Sequence, residues 1–516
     1  MKHKTTIKSF SLLAGITIFE KIIAFVFEAV IAAMLGASII TDGYFTAAEL
    51  LTLVDAAFIG GLTVVALNRF TLHVKTENEA RGFEVLSELQ SFYLPLMLLL
   101  SVLFFLLAQP LSYVVAPGYS EEARQVVIRC IRVMAPVPFI VCITAIGIAV
   151  LRQKKAFAVT GLKSLFISVV GIISVLLFGR GQVMNADLLS VAYVISMILY
   201  CVLISLMVRK FGRIRLHHPT FSQDLKETLK MILPLMASYG IGRMALMVDK
   251  IVASMLATGS VSCLTYAHSL YKVVCAVFIT NLSTIILTDF NDYCAQKQYD
   301  KVIESIHRII SSMTLLMLPI TIVTIFNANE IASIVYQRGH FSRESAVLVG
   351  SVLVFYALNF IPAMVQSVYN QVFYAFGDTV APMWMALLNV ALNLGMSIPL
   401  MMAIGLPGVA IGTLCSTLIT VQIKRLVLRK HIKNYTFAYT KVYLMKTFFA
   451  SIACIAVIAL IVSFVHNPFL SFIFSAFAAF SVFFLVLLLL KEEICVSYYQ
   501  KIIKRFGKGK GQGQDI

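Results

Sequence analysis

The sequence predicts an all-α polytopic membrane protein of about fourteen transmembrane helices: two parallel six-helix lobes around a central cavity, then two C-terminal helices. Three observations predict it. First, 59% of the 516 residues are hydrophobic and only 13% charged, with a mean hydropathy of +0.90, more apolar surface than a soluble core of this size could hide. Second, runs long enough to cross a hydrocarbon core of about 30 Å, roughly 20 residues of helix, recur along the whole chain. Third, Lys and Arg gather in alternate connections between those runs.

In order, the spans fall near residues 9–35, 44–68, 91–115, 126–150, 157–178, 187–208, 230–256, 263–288, 304–327, 345–374, 380–402, 408–428, 442–465 and 469–490. An even number places both termini on one side. Lys2, Lys4 and Lys8 precede the first span; Arg69, Lys75 and Arg81 follow the second, Arg152, Lys154 and Lys155 the fourth, and Arg209, Lys210, Arg213 and Arg215 the sixth. Lys424, Arg425, Arg429, Lys430 and Lys433 close the twelfth, and Lys491, Lys501, Lys504 and Arg505 the last. The connections at 38–43, 257–262, 404–408 and 466–468 are poor in positive charge. Positive loops stay inside, so both termini are expected in the cytoplasm.

The net charge of +17 therefore follows from topology. Its cations are spread over many short loops, which argues against nucleic acid as a partner. The tail from Lys501 to Lys510 is placed to meet anionic headgroups. Cys130, Cys142, Cys201, Cys263, Cys275, Cys415 and Cys454 lie in or beside apolar spans, without spacing for zinc or a disulfide framework, and read as small buried hydrophobes. No small-residue cleavage site follows a short apolar core at the N-terminus, so the first span is expected to be retained.

An internal repeat of about 220 residues organises the chain. Ala33-Met34-Leu35 leads to Tyr44 as Ser254-Met255-Leu256 leads to Tyr266, and residues 117–123 before the fourth span are echoed by 339–346 before the tenth. Six spans separate the copies, so the repeat is parallel: an N-lobe over 1–215, a C-lobe over 216–433, two extra spans over 434–490 and a basic tail over 491–516. The extra pair reads either as a lipid-facing appendix or as a groove for a long lipid tail. Two lobes around a crevice suit alternating access, and no phosphate-binding loop for ATP is present, which leaves an ion gradient, the membrane potential or the substrate gradient as driving force.

Ionisable residues nevertheless sit inside the apolar spans: Glu20, Lys21 and Glu28 in the first, Asp55 in the second, Arg243, Asp249 and Lys250 in the seventh, and Lys272 in the eighth. Such groups are costly in hydrocarbon and face a partner or a water-filled path, which points to a transported substrate.

Residues 41–45 (TDGYF), 116–119 (APGY), 129–136 (RCIRVMAP), 259–262 (GSVS), 337–341 (QRGHF) and 373–379 (FYAFGDT) lie in register with the MurJ (MviN) lipid II flippases, which the chain resembles over nearly its whole length. The resemblance implies a fourteen-helix member of the MOP exporter superfamily that moves an undecaprenyl-diphosphate-linked sugar precursor, lipid II or a related lipid-linked oligosaccharide, to the outer leaflet. The head cannot cross hydrocarbon unaided, whereas the lipid tail can stay in the bilayer. The family's cavity is cationic, as a diphosphate requires. This chain departs from it: of the family's arginine positions in spans 1, 2 and 8 only the first keeps a cation, Lys21, the others falling at Phe27, Asp55 and Ser269.

The substrate-binding candidates are therefore Lys21, Glu28, Asp55, Arg243 and Lys272, with Lys21 and Glu28, seven residues apart, alternatively a structural ion pair. Arg129 and Arg132 share a face near the outer end of the fourth span, where anchoring is the commoner role. Asp42 and Asp378 read as turn or capping residues that can also latch a gate. The resemblance further implies a sodium site in some members, whose aligned positions are Asp249, Asn393, Ser397 and Thr413; Ser397 replaces a carboxylate of some relatives. Sodium or a proton is the candidate coupling ion, and no other cofactor is expected. Expected partners are the polyprenyl-linked sugar and membrane lipids, with a monomeric chain. A multidrug or organic-cation antiporter and a non-transporting scaffold are the other readings; no nucleophile motif or metal cluster favours an enzyme.

Overall fold

The computed structural model describes residues 2–178, 185–216, 223–280, 290–291, 293–294, 296–432, 435, 440–465, 467–497 and 500, with side chains from Phe19 onward except at 224 and 280. The basic tail from Lys501 and the end of the expected eighth span at 281–288 lie outside the described residues. Among these residues, ten helices are long and apolar enough to cross a membrane, or twelve if each of two bent pairs counts as one span. The helix Lys163–Phe178 is apolar but shorter.

The chain forms two compact units. Unit 1 holds Met1–Tyr266, Tyr336–Ala346 and Ala386–Gly412; unit 2 holds Ala267–Val335, Val347–Met385 and Thr413–Ile516. Unit 1 contains α1 (Lys2–Leu35), α2 (Ile39–Thr76), α3 (Glu79–Leu106), α4 (Ala108–Val115), α5 (Glu121–Met134), α6 (Val137–Gln153), α7 (Phe157–Thr160), α8 (Lys163–Phe178), α9 (Ala186–Arg209) and α10 (Gln223–Ala253). α11 (Ser260–Cys275) begins there, with a π-helical turn, Ala276–Thr280, at its end. α2 is the hub, packing on α10, α6, α5 and α3. Its apolar residues Leu62, Val65 and Phe70 are fully buried against Leu86 of α3, Ile146 and Val150 of α6, and Ile204 of α9.

Unit 2 holds α12 (Tyr299–Phe326), α14 (Arg343–Leu358, from Val347), α15 (Phe360–Ala375), α18 (Lys441–Phe464) and α19 (Pro468–Leu489). Most of α13 (Ala328–Tyr336) also lies there, while α16 (Val380–Ile404) and α17 (Leu406–Leu428) each contribute to both units. Its core joins Ile306, Ile310 and Met317 of α12 to Phe360, Val368 and Phe373 of α15 and Leu428 of α17. α18 and α19 pack on each other and on α12 through Ala450, Cys454, Ala479 and Phe483. Their other faces expose Phe448, Phe464 and Phe477, as helices bathed in lipid do.

The fourth and tenth expected spans are each broken by a 43° bend, between α5 and α6 and between α14 and α15. Pro136 and Pro362 lie at the breaks; proline lacks the N–H that would continue the ladder and its ring crowds the preceding turn. The sequence echo has a structural counterpart here. A short helix, α4 or α13, precedes each bent pair, and Ser120 or Ser342 then caps the next helix by accepting from Ala123 N (3.4 Å) or Ser345 N (3.1 Å).

Candidate functional site

Four of the charges that hydropathy leaves unexplained, Asp55, Arg243, Asp249 and Lys250, lie in unit 1 on α2 and α10. Arg243 and Lys250 are seven residues apart on α10, two helical turns, and so share a face. One buried carboxylate meets both: Glu49 of α2 lies 2.9 Å from Arg243 Nε and 2.9 Å from Lys250 Nζ. Lys250 also donates to the Phe45 carbonyl at 3.1 Å and sits 5.8 Å from the Phe45 ring centre. Two cations thus meet one anion, and Asp249, adjacent to Lys250 in sequence, supplies a second carboxylate. The Arg243 contact is an ion pair without a hydrogen bond, and the terminal nitrogens of Arg243 bond to no described residue; its side chain is 32% exposed.

Asp249, the residue before Lys250, opens a second chain of contacts. Asn393 Nδ2 of α16 donates to Asp249 Oδ1 at 2.9 Å, and Ser397 Oγ donates to Asn393 Oδ1 at 2.7 Å. Val409 O lies 3.4 Å from Ser397 Oγ, and Gly412 is required beside it, since a Cβ there would sit 2.1 Å from that oxygen. All three polar side chains are buried. Three of the four expected ligand residues thus converge within unit 1; Thr413 belongs to unit 2. A carboxylate, an amide, a hydroxyl and a main-chain carbonyl are hard oxygen donors that fit a monovalent cation. For the amide oxygen to join them, Asn393 must turn over, presenting Oδ1 in place of Nδ2; no cluster of three His, Cys, Asp or Glu occurs among the described residues.

Asp55 forms an ion pair with Lys163 at the start of α8, a residue the sequence reading passed over. Lys21 is exposed on α1 and forms no ion pair with a described residue, so the expected Lys21–Glu28 pair is not made; Glu28 is half-buried. Lys272 lies exposed in the last turn of α11, in unit 2. Phe27 and Ser269, where the family's arginines would stand, are both buried.

Asp42 caps a helix in trans. Its carboxylate accepts from Gly259 N (2.6 Å), Ser262 N (2.8 Å) and Ser262 Oγ (2.6 Å), satisfying the free N–H groups that open α11. Gly259 has φ +92°, a left-handed conformation that favours glycine. Asp378 caps α16 locally, accepting from Val380 N (3.1 Å) and Ala381 N (2.9 Å), and meets His431 Nε2 at 2.9 Å. Partial burial works against its ionisation, but the Ala381 N–H, the His431 contact and the Val380 N–H outweigh it and hold the carboxyl below its ordinary 3.8. Arg129 pairs with Asp187 at 3.3 Å and Arg132 lies 5.8 Å from the Phe105 ring centre, both anchoring contacts. Buried Arg124, also missed, stacks 3.9 Å from the Tyr113 ring centre and donates to Tyr119 O at 2.9 Å, fixing the turn before α5.

Among known proteins, the family described as "Lipid II flippase MurJ" matches residues 31–485. The chain belongs to the MurJ family. A "Probable lipid II flippase MurJ" of Rickettsia prowazekii is 26% identical over 422 residues, covering 79% of this chain and 81% of that protein. One of Rhizobium tropici is 25% identical, covering 78% and 77%. A solved structure titled "Lipid II flippase MurJ, inward closed conformation" superposes with a TM-score of 0.80 at 18% identity, covering 95% of this chain and 99% of that one. An inward-facing multidrug resistance MATE transporter of the MOP superfamily superposes at 0.66 and 17% identity, covering 81% and 98%, which speaks to fold alone.

Proposed function

We propose that the chain flips an undecaprenyl-diphosphate-linked sugar precursor, lipid II or a related lipid-linked oligosaccharide, from the inner to the outer leaflet of the bacterial cytoplasmic membrane by alternating access. The family match over residues 31–485 carries this reading. The physical need agrees with it: a charged head requires a polar path, whereas its lipid tail can remain in hydrocarbon.

In this reading Lys21, Arg243 and Lys272 contact the diphosphate or sugar, in two parallel six-helix lobes of a monomeric chain with both termini cytoplasmic. Arg243 is the best supported, because it stands part-exposed beside Glu49 with its terminal donors left for phosphate oxygens. Asp55 pairs with Lys163 of a neighbouring helix, which cancels its charge without adding a net cation there. Asp249, Asn393, Ser397 and Thr413 hold the coupling cation, sodium or a proton, which supplies the driving force. The test is rescue of cells depleted of their own lipid II flippase. Growth restored by this chain and lost in the Arg243→Gln form is expected; failure of the wild-type chain despite correct membrane insertion sinks the lipid II version.

A further inference from the structure

The cluster Arg209, Arg213 and Arg215 reads in the sequence as a topology signal alone, yet in unit 1 all three line a cavity of about 560 Å³. That volume falls within the range of small-ligand sites, roughly 300–1,000 Å³. Gln90 of α3 lies in the wall, nine-tenths buried, and its amide hydrogen-bonds to no described residue. Ser205 of α9 adds a hydroxyl, one turn above Arg209.

The cavity is built into the fold. Ser87 Oγ accepts from Arg215 N at 3.0 Å while donating to Phe83 O at 2.6 Å, so the segment after α9 that carries Arg213 and Arg215 is pinned against α3. Gly212 permits the approach: a Cβ there would lie 2.3 Å from the Phe83 ring. Gly147 does the same for α6 against α9, where a Cβ would meet Ile204 at 2.4 Å. None of the three arginines pairs with a carboxylate among the described residues.

We infer that this cavity binds the phosphate ester of an anionic phospholipid headgroup. Planar guanidiniums offer several donors each to phosphate oxygens, and the Gln90 amide supplies another. Basic pockets between transmembrane helices suit such headgroups, and Ile143 and Val208 give the glycerol end an apolar wall. The site is separate from the residues assigned to flipping, so it stands or falls independently of that function.

Native mass spectrometry of the full chain in neutral detergent tests it, titrating phosphatidylglycerol, phosphatidylcholine and inorganic phosphate at matched ionic strength. Each cation near an anionic surface contributes about a fivefold preference, so wild type should favour phosphatidylglycerol over phosphatidylcholine at least tenfold. The combined Arg209→Gln, Arg213→Gln and Arg215→Gln variant should lose that preference. A control of equal charge change at exposed Lys297, Lys301 and Lys441, each to Gln, should keep it. Gln90→Leu, which alters no charge and keeps the test open if the triple variant misfolds, should weaken adducts several-fold. Equal loss in the control, full retention in the arginine variant with Gln90→Leu, or displacement of phosphatidylglycerol by inorganic phosphate would overturn the lipid assignment.

Discussion

Replacing Glu49 by Gln leaves Arg243 and Lys250 facing an amide in place of the carboxylate they share at 2.9 Å each. Breaking a buried pair by removing one partner costs about 3–5 kcal/mol. Two features reduce that figure here: Arg243 is 32% exposed, so solvent screens it, and Lys250, 11% exposed, keeps the Phe45 carbonyl at 3.1 Å. The remaining loss is about 2–3 kcal/mol, concentrated on Lys250. At about 2.1 cal/mol/K of unfolding entropy per residue, that lowers the melting temperature by about 2–3 °C if the whole chain unfolds together. Lys250→Met alone should also destabilise, but the double change Glu49→Gln with Lys250→Met should recover at least about 1 kcal/mol relative to the sum of the singles. The assay is thermal unfolding of the four proteins in one detergent. Single effects that add to within about 0.5 kcal/mol would refute the shared-carboxylate account.

Asp42→Ala strips acceptors from Gly259 N, Ser262 N and Ser262 Oγ, and should cost about 2–4 kcal/mol in melting experiments; a wild-type melting curve would contradict the trans-cap. For Asp378 the folded-state carboxyl lies below its ordinary 3.8, so its contribution is fully present above that value and lost as pH falls through the folded one. The stability gap between wild type and Asp378→Asn should therefore be constant near pH 5 and shrink below about pH 4; a gap that widens on acidification would mean that the folded-state carboxyl lies above its ordinary value. Sodium should raise the melting temperature of wild type but not of Asp249→Asn, at matched potassium and ionic strength; an equal rise in both would place the ion elsewhere. Gly118→Leu should hinder folding, because even a Cβ there would lie 2.3 Å from Met255 Cα at the end of α10, and loss of folded yield measures it.

The helices were legible because apolar runs of membrane length have one physical outcome in lipid. The bends were less so: Pro136 and Pro362 are plain in the sequence, but a continuous hydropathy profile spans them without a break. Asp249, Asn393 and Ser397, three of the four positions named from the family resemblance, are linked through an amide that bridges carboxylate and hydroxyl. The ion partners stayed hidden. Glu49 and Lys163 stand near the ends of apolar stretches, where a charge is cheap to explain, and their value as partners depends on α2 meeting α10 and α8.

That distinction bears on the cationic site itself. At the positions where the family resemblance implies arginine, this chain buries Phe27 and Ser269 and carries Asp55, so a count along the sequence finds few cations. Counting across neighbouring helices changes the balance. Lys163 neutralises Asp55, while Arg243 and Lys250 exceed Glu49 by one charge. With Asp249 on the same helix the two cations are matched by two carboxylates, and α10 turns net positive here only when a bound cation neutralises Asp249. A diphosphate drawn to Arg243 and a cation drawn to Asp249 would act on the same helix, six residues apart, and the field of each bound ion would reach the other within about 10 Å. Opposite charges at that spacing favour one another's binding, so substrate and coupling cation should bind with positive cooperativity, and the Glu49→Gln form, which adds one more positive charge beside Asp249, should weaken the cation while strengthening the anion.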